Sequence, residues 1–235
     1  MDRSIFVALS GLTTGVEKLN AGSNNLANIN TIGFKKLRPT FKVVAPARQV
    51  SRAFSAPGPA VNDMSGGAMT RSGRDLDMAI EGNGFFVVKT PRGERYTRQG
   101  DFRIDDDGRL ATKEGFLVLG EGGPIKLAGS GVEIDSSGAI SEKGVVAGRL
   151  KIVSFKDMSL LRYEGGLYNA GKSAPGPVKG SDTKVLQGFT EGSNVSALKE
   201  MVTMMENLRA YQTQVKLIQA IDGMSRKAIE EVGRV

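Results

Sequence analysis

The chain has 235 residues, 40% hydrophobic and 24% charged, which is ordinary for one or two soluble domains; with only 6% aromatics and no Trp, its core must be largely aliphatic. Cys and His are both absent, which excludes disulfide scaffolds, thiol nucleophiles, His-based triads and zinc sites that need thiolate or imidazole. The net charge of +7 admits anionic neighbours, but its densest pieces, Lys35-Lys36 with Arg38 and Arg71 with Arg74, are short and lack interleaved aromatics for base stacking, so nucleic acid is not an expected partner.

At the start of the chain the apolar run Ile5 to Leu9 is shorter than the core of a secretory signal, and no stretch approaches the ~18 apolar residues of a membrane span. Neither a cleaved signal nor direct membrane insertion is expected. Over residues 1–30, Ile5, Leu9, Leu12, Val16, Leu19, Ser23 and Leu26 alternate at four- and three-residue steps, a heptad seam with one polar member. Beside it runs a row of small residues, Ala8, Gly11, Gly15 and Gly22, that would let another backbone come close. Each glycine costs the isolated helix roughly 1 kcal/mol relative to Ala. Such a helix has little reason to form alone in water and is favoured only when packed.

Residues 31–75 lose the helical period: Pro39, Pro46, Pro57-Gly58-Pro59 and Ser65-Gly66-Gly67 predict an extended connector. Over 76–185, short apolar runs alternate with turn residues. Phe85 to Val88 precedes Pro91-Arg92-Gly93, Phe102 to Ile104 leads into Asp107-Gly108, and Val132 to Ile134 precedes Ser136-Ser137-Gly138. This predicts a compact antiparallel β domain.

Two patterns in that region imitate chemistry. Gly82-Asn83-Gly84 starts like a dinucleotide fingerprint, but Val87 stands where its third glycine belongs and a strand follows, so a tight turn is expected. Asp105-Asp106-Asp107-Gly108 lacks the alternating ligands and closing Glu of a calcium loop and reads as a hairpin turn, with at most an adventitious cation. There is no G-x-S-x-G elbow or phosphate loop, and no carboxylate pair is singled out for glycoside hydrolysis. Catalytic, cofactor-binding and metal-binding residues are therefore all expected to be none, and no cofactor is implied.

Residues 186–235 hold a second long helix, with Ser193-Asn194 as candidate N-caps and only Gly223 as an interior breaker before Val232. Met201, Met204, Leu208, Tyr211, Val215 and Ile218 share one broad face. At ~1.5 Å per residue this helix approaches 60 Å, very long for one packed inside a small domain, and its methionines make an adaptable surface.

The expected fold is α+β: long N- and C-terminal helices forming a coiled-coil-like helical domain, with a central antiparallel β domain. In the expected packing, Ile5, Leu9, Leu12, Val16 and Leu19 meet the face from Met201 to Ile218 within the subunit, while Gly11, Gly15 and Gly22 meet neighbouring helices. These residues, with Leu26, make up the expected assembly interface. A closed intramolecular helical hairpin with the β domain as an insertion is the monomeric alternative.

The segment from Asn24 to Lys35, N-N-L-A-N-I-N-T-I-G-F-K, resembles the signature of flagellar rod and hook proteins. Leu76 to Phe86, Tyr96 to Phe102 and Glu191 to Val195 resemble the same family, so the likeness spans the chain and is weakest in the connector. Within the family, Met1 to Ala8 and the short connector are most similar to the proximal-rod subunit. The distal-rod or hook-type subunit is the alternative, although Leu208 and Gln212 depart from the distal Q-R-A-Y-E pattern. The resemblance implies a non-enzymatic subunit of the basal body, exported without a cleaved signal through the flagellar type III apparatus. Its partners would be itself and other rod subunits, proximal and distal, in a periplasm-spanning tube that transmits torque and encloses the export channel. A peptidoglycan-active enzyme is the rival from another class.

Overall fold

The computed structural model describes residues 2–44, 54–129, 131–171, 175–177 and 183–232. Residues 45–53, part of the expected connector, lie outside this set. The chain forms two compact units: Met1–Ala27, Leu37–Val61 and Ser196–Val235 make one, and Asn28–Lys36 with Asn62–Val195 make the other.

The first unit holds helix α1, Asp2–Ala27, and helix α2, Ala197–Val232. They run antiparallel: moving forward along α1, Gly11 lies against Gln214, Gly15 against Tyr211, Gly22 against Met204, and Asn25 is bonded to Glu200. An antiparallel hairpin of Phe41–Val44 and Phe54–Pro57 completes the unit and contacts α1, with the Lys18 ammonium 5.6 Å from the centre of the Phe41 ring. Gly223 does not interrupt α2.

The coiled-coil-like helical domain is not what forms. Two helices and a hairpin make this unit, and the small-residue row of α1 lies against α2 at Gly11, Gly15 and Gly22. On α2 the positions from Glu200 to Ser225 that are not exposed are Glu200, Met204, Asn207, Tyr211, Gln214, Val215, Ile218, Ile221 and Ser225, four of the nine polar. Knobs-into-holes packing needs apolar residues repeating on both facing seams. Here Leu9 and Val16 remain 50% and 40% exposed. Glycines bring the backbones together because they have no side chain to hold them apart, and that closeness selects the seam.

The second unit is an antiparallel β structure. Its central strand, Phe85–Thr90, pairs with Gly93–Thr97, Leu117–Gly120 and Ile152–Ser154. A three-stranded meander, Val132–Ile134, Ala139–Glu142 and Val145–Arg149, stands beside it, and Met78–Gly82 pairs with Thr183–Gln187. Alternation along the central strand builds two cores, because successive side chains point to opposite faces. Phe86 and Val88 join Met78, Ile80, Phe102, Leu110 and Ile140 in one. Phe85 and Val87 join Tyr96, Phe155, Leu161 and Tyr168 in the other.

The turns follow their residues. Gly82 adopts φ +95° between strands, as expected of a turn and not of a nucleotide loop. Asp105 closes its own hairpin: Oδ1 accepts from the backbone N–H groups of Asp107 and Arg109 at 3.0 and 2.7 Å, and Oδ2 accepts from Arg109 Nε at 2.9 Å. Asp135 repeats the arrangement before Gly138, accepting from the backbone of Ser137 and Ala139. These carboxylates have partners within the turn, so each acts as a turn device.

Candidate assembly surface

The helix pair presents two different faces on α2. The inward line lies on α1, and its closeness follows from missing side chains: a Cβ built on Gly22 would stand 2.8 Å from Met204 Cγ, and one on Gly15 would stand 3.4 Å from Tyr211 Cδ2. Positions 198, 201, 202, 205 and 208 share another face by helical spacing. They are Leu198, Met201, Val202, Met205 and Leu208, all between 46% and 75% exposed. Within this unit they form an apolar strip on the first three turns of α2 that the chain itself leaves uncovered.

The residues expected at an interface therefore divide. Gly11, Gly15 and Gly22 lie against α2 of the same chain. Leu12, Leu19 and Leu26 are half-buried, while Leu9 and Val16 are exposed; the side chain of Ile5 lies outside the described residues. On α2, Met204, Tyr211, Val215 and Ile218 are half-buried, and Met201 and Leu208 face solvent. Apolar periodicity missed Gln214, which lies against Gly11, because it counts only apolar residues.

A second set of residues went unassigned although the motifs contained them. Glu191 is buried, and its Oε1 accepts from Lys35 Nζ at 2.6 Å and from the Gly67 N–H at 3.0 Å. Its Oε2 lies 3.3 Å from Arg98 Nη1, and Arg98 also donates to the carbonyls of Ile80 and Gly82. Lys35 Nζ donates to the Ser65 carbonyl at 2.7 Å as well. Burial pushes both cations below their usual range, while Glu191 pulls each back. Lys35 is thus an interior residue, so the basic cluster noted in the sequence is not one surface patch.

The neighbours of this cluster explain the rest of the T-I-G-F-K segment. The Gly33 N–H donates to the Glu191 carbonyl at 2.7 Å, at φ +68°, and a Cβ there would lie 2.5 Å from the Arg98 carbonyl carbon. Only glycine fits both the left-handed conformation and the space. Phe34 is buried and meets Tyr163 edge-on at 5.3 Å. Asn194, one of the expected N-caps, is used elsewhere. Its Oδ1 accepts from the Lys36 N–H, and α2 begins later, with the Glu200 N–H donating to the Ser196 carbonyl.

An antiparallel pair of helices with an uncovered apolar strip, in a chain that also carries a β unit with cores of its own, has the features of a subunit of an assembly. Comparison with known proteins agrees. Residues 5–35 match the family described as flagella basal body rod protein, residues 79–147 the flagellar hook protein FlgE/F/G D1 domain, and residues 186–231 the flagellar basal body rod FlgEFG protein C-terminal region. The chain is 34% identical to the flagellar basal-body rod protein FlgF of Caulobacter vibrioides, with both chains covered in full. It is 32% identical to FlgF of Escherichia coli over 97% of each chain. It is also 32% identical to FlgG of Bacillus subtilis, over 97% of this chain and 98% of that one. The chain belongs to the flagellar basal-body rod protein family and is a structural subunit of that rod.

Proposed function

We propose that this subunit occupies the proximal part of the rod and polymerises through its helix pair, without enzymatic activity. The observation that carries this reading is the apolar strip from Leu198 to Leu208, five exposed large apolar side chains on one face of α2. Apolar area is stabilised by about 25 cal/mol per Å² when removed from water, so the strip gains most by meeting helices of other axial subunits. Leu9 and Val16 on α1 extend the available surface, with Val43 on the hairpin. The proximal assignment is supported by the FlgF relatives, while the FlgG likeness keeps the distal position as the second reading.

The subunit's passage to the rod is proposed to use the flagellum's own export apparatus; among the described residues no helix is long and apolar enough to cross a membrane. Against wall-cutting chemistry stands the use of the most enclosed acid, Glu191, which is taken up by Lys35 and Arg98. The test is incorporation: a tagged chain carrying Met201→Glu and Met205→Glu, expressed in its own flagellated host, is expected to be absent from purified basal bodies while the unaltered tagged chain is present. Incorporation of the variant at the normal level would refute the strip as the polymerising face.

A further inference from the structure

The helical unit carries a groove as well as a strip. Between α1 and the hairpin, a concavity of about 240 Å³ is lined by Ala21 of α1 and by Leu37, Pro39 and Pro57, with the exposed Glu17 and Asn20 beside them. All of these residues belong to the same compact unit. Val16 stands one turn before Asn20 and Leu9 two turns before Val16, so the exposed apolar side of α1 adjoins the groove.

The strip on α2 ends in a cation. Arg209 lies one turn after Met205 and two turns after Val202, on the same face and exposed. Among the described residues, neither the Glu17 carboxylate nor the Arg209 guanidinium has an ion-pair partner. The strip cannot enter its own groove: Met204 lies against Gly22 of the same chain, and Met205 is turned about 100° from it around the helix.

We propose that the groove between α1 and the hairpin is the socket for the apolar strip of a second copy of this chain, held in register by Glu17 of one copy and Arg209 of the other. With the incoming α2 antiparallel to α1, Arg209 meets Glu17, and Met205, four residues earlier, falls level with Ala21 and the groove. An unbranched methionine adapts to such an irregular, proline-walled space. Strip and groove are different surfaces, so the contact is heterologous: each copy still offers one of each after binding, and the chain of contacts continues as a helical array where the rotation does not close a ring. A strip paired with a second strip would close at two copies and leave Glu17 unmet. The proposal rests on the reading of the strip as the polymerising face and names what that face meets.

The chain has no cysteine, so a disulfide between copies can be placed at will. Two differently tagged full-length chains, one with Asn20→Cys and one with Met205→Cys, are expressed together in the flagellated host lacking its own copy, and purified basal bodies are oxidised. Disulfide dimers carrying both tags are expected, since the bond forms only where the backbones come close. Glu17→Arg on the first chain is expected to lower their yield about two- to fivefold, and Arg209→Glu on the second to restore it. Asn24→Cys with Met201→Cys, one turn further along each helix, carries the test if Met205→Cys is not incorporated. Basal bodies that contain both chains without mixed dimers, or with dimers of the Met205→Cys chain alone, would overturn the socket. Exclusion of the Met201→Glu, Met205→Glu chain from basal bodies would still uphold the strip in that case, so the two readings fail separately.

Discussion

The strand Phe85–Thr90 and the helix α2 are both built on apolar residues, and they end in opposite situations. Phe85 to Val88 are all buried, divided between two cores that the same chain supplies. On α2, Leu198, Met201, Val202, Met205 and Leu208 face solvent, and four of the nine non-exposed positions from Glu200 to Ser225 are polar. A strand exposes two faces, and this β unit covers both from within. A long helix with one partner covers only one side, so the remainder must be met by other molecules or by water. The central strand is closed within its own unit, while α2 keeps an open apolar strip.

The sharpest break between the two regions is Phe86→Ala, which removes a fully buried ring set edge-on to Phe102 at 5.1 Å. It should cost the β unit about 3–5 kcal/mol in urea unfolding, with the far-UV helical signal surviving at denaturant levels where the sheet has melted. If both signals were lost together, the two regions would be one cooperative unit. Lys35→Met comes next, since it leaves Glu191 buried with one fewer cationic partner. A loss of about 3 kcal/mol is expected in the same measurement, and a neutral result would mean that Arg98 alone satisfies the carboxylate.

Gly22→Leu and Gly15→Leu act on the other region. Overpacking against Met204 or Tyr211 should cost about 1–3 kcal/mol, visible as lost helical ellipticity with the β unit's melting unchanged. Both variants should be excluded from the rod, because the helix pair that presents the strip is forced open. Normal helicity and normal incorporation would show that the backbones need not approach so closely.

A smaller effect separates the regions by pH. In the β unit, hydrogen bonds hold three turn carboxylates below the ordinary 3.8: chiefly the Arg109 N–H at Asp105, the Ser137 hydroxyl at Asp135 and the Ser159 hydroxyl at Asp157. Their folded values lie below the unfolded ones, so the unfolded chain takes up protons first. The stabilisation is therefore present above 3.8 and is lost as pH falls through the folded values. The β unit's melting temperature should decline below about pH 4, and Asp135→Asn should flatten that slope. The smallest effect on the isolated chain belongs to Met205→Glu, within about 0.5 kcal/mol because the site is already in water; its effect on incorporation should be complete.

Much of this fold was legible in the chain. Turn residues placed the hairpins at 91–93, 107–108 and 136–138 because glycine and Asp impose local backbone geometry wherever they stand. The long terminal helices were legible from period and from the scarcity of breakers. What the hydrophobic period did not show is that Gly11, Gly15 and Gly22 of α1 lie against α2 of the same chain. Hydrophobic period reports which residues avoid water, and it is silent on how near two backbones can come. Glu191, Lys35, Arg98, Asn25 and Asn194 were all inside recognisable motifs, but nothing local says that residues so distant in sequence share bonds.

The sequence by itself determined the elements, the turns, the absence of Cys and His chemistry, and membership in the rod family, because each of these depends on neighbouring residues or on residue type. Only the tertiary structure decided which helix face is closed and which is open, and that the polar letters of the motifs are internal ties. Those outcomes depend on interatomic distance between segments far apart in the chain, 175 residues for Asn25 and Glu200. Distance of that kind is set by the packing of the whole chain.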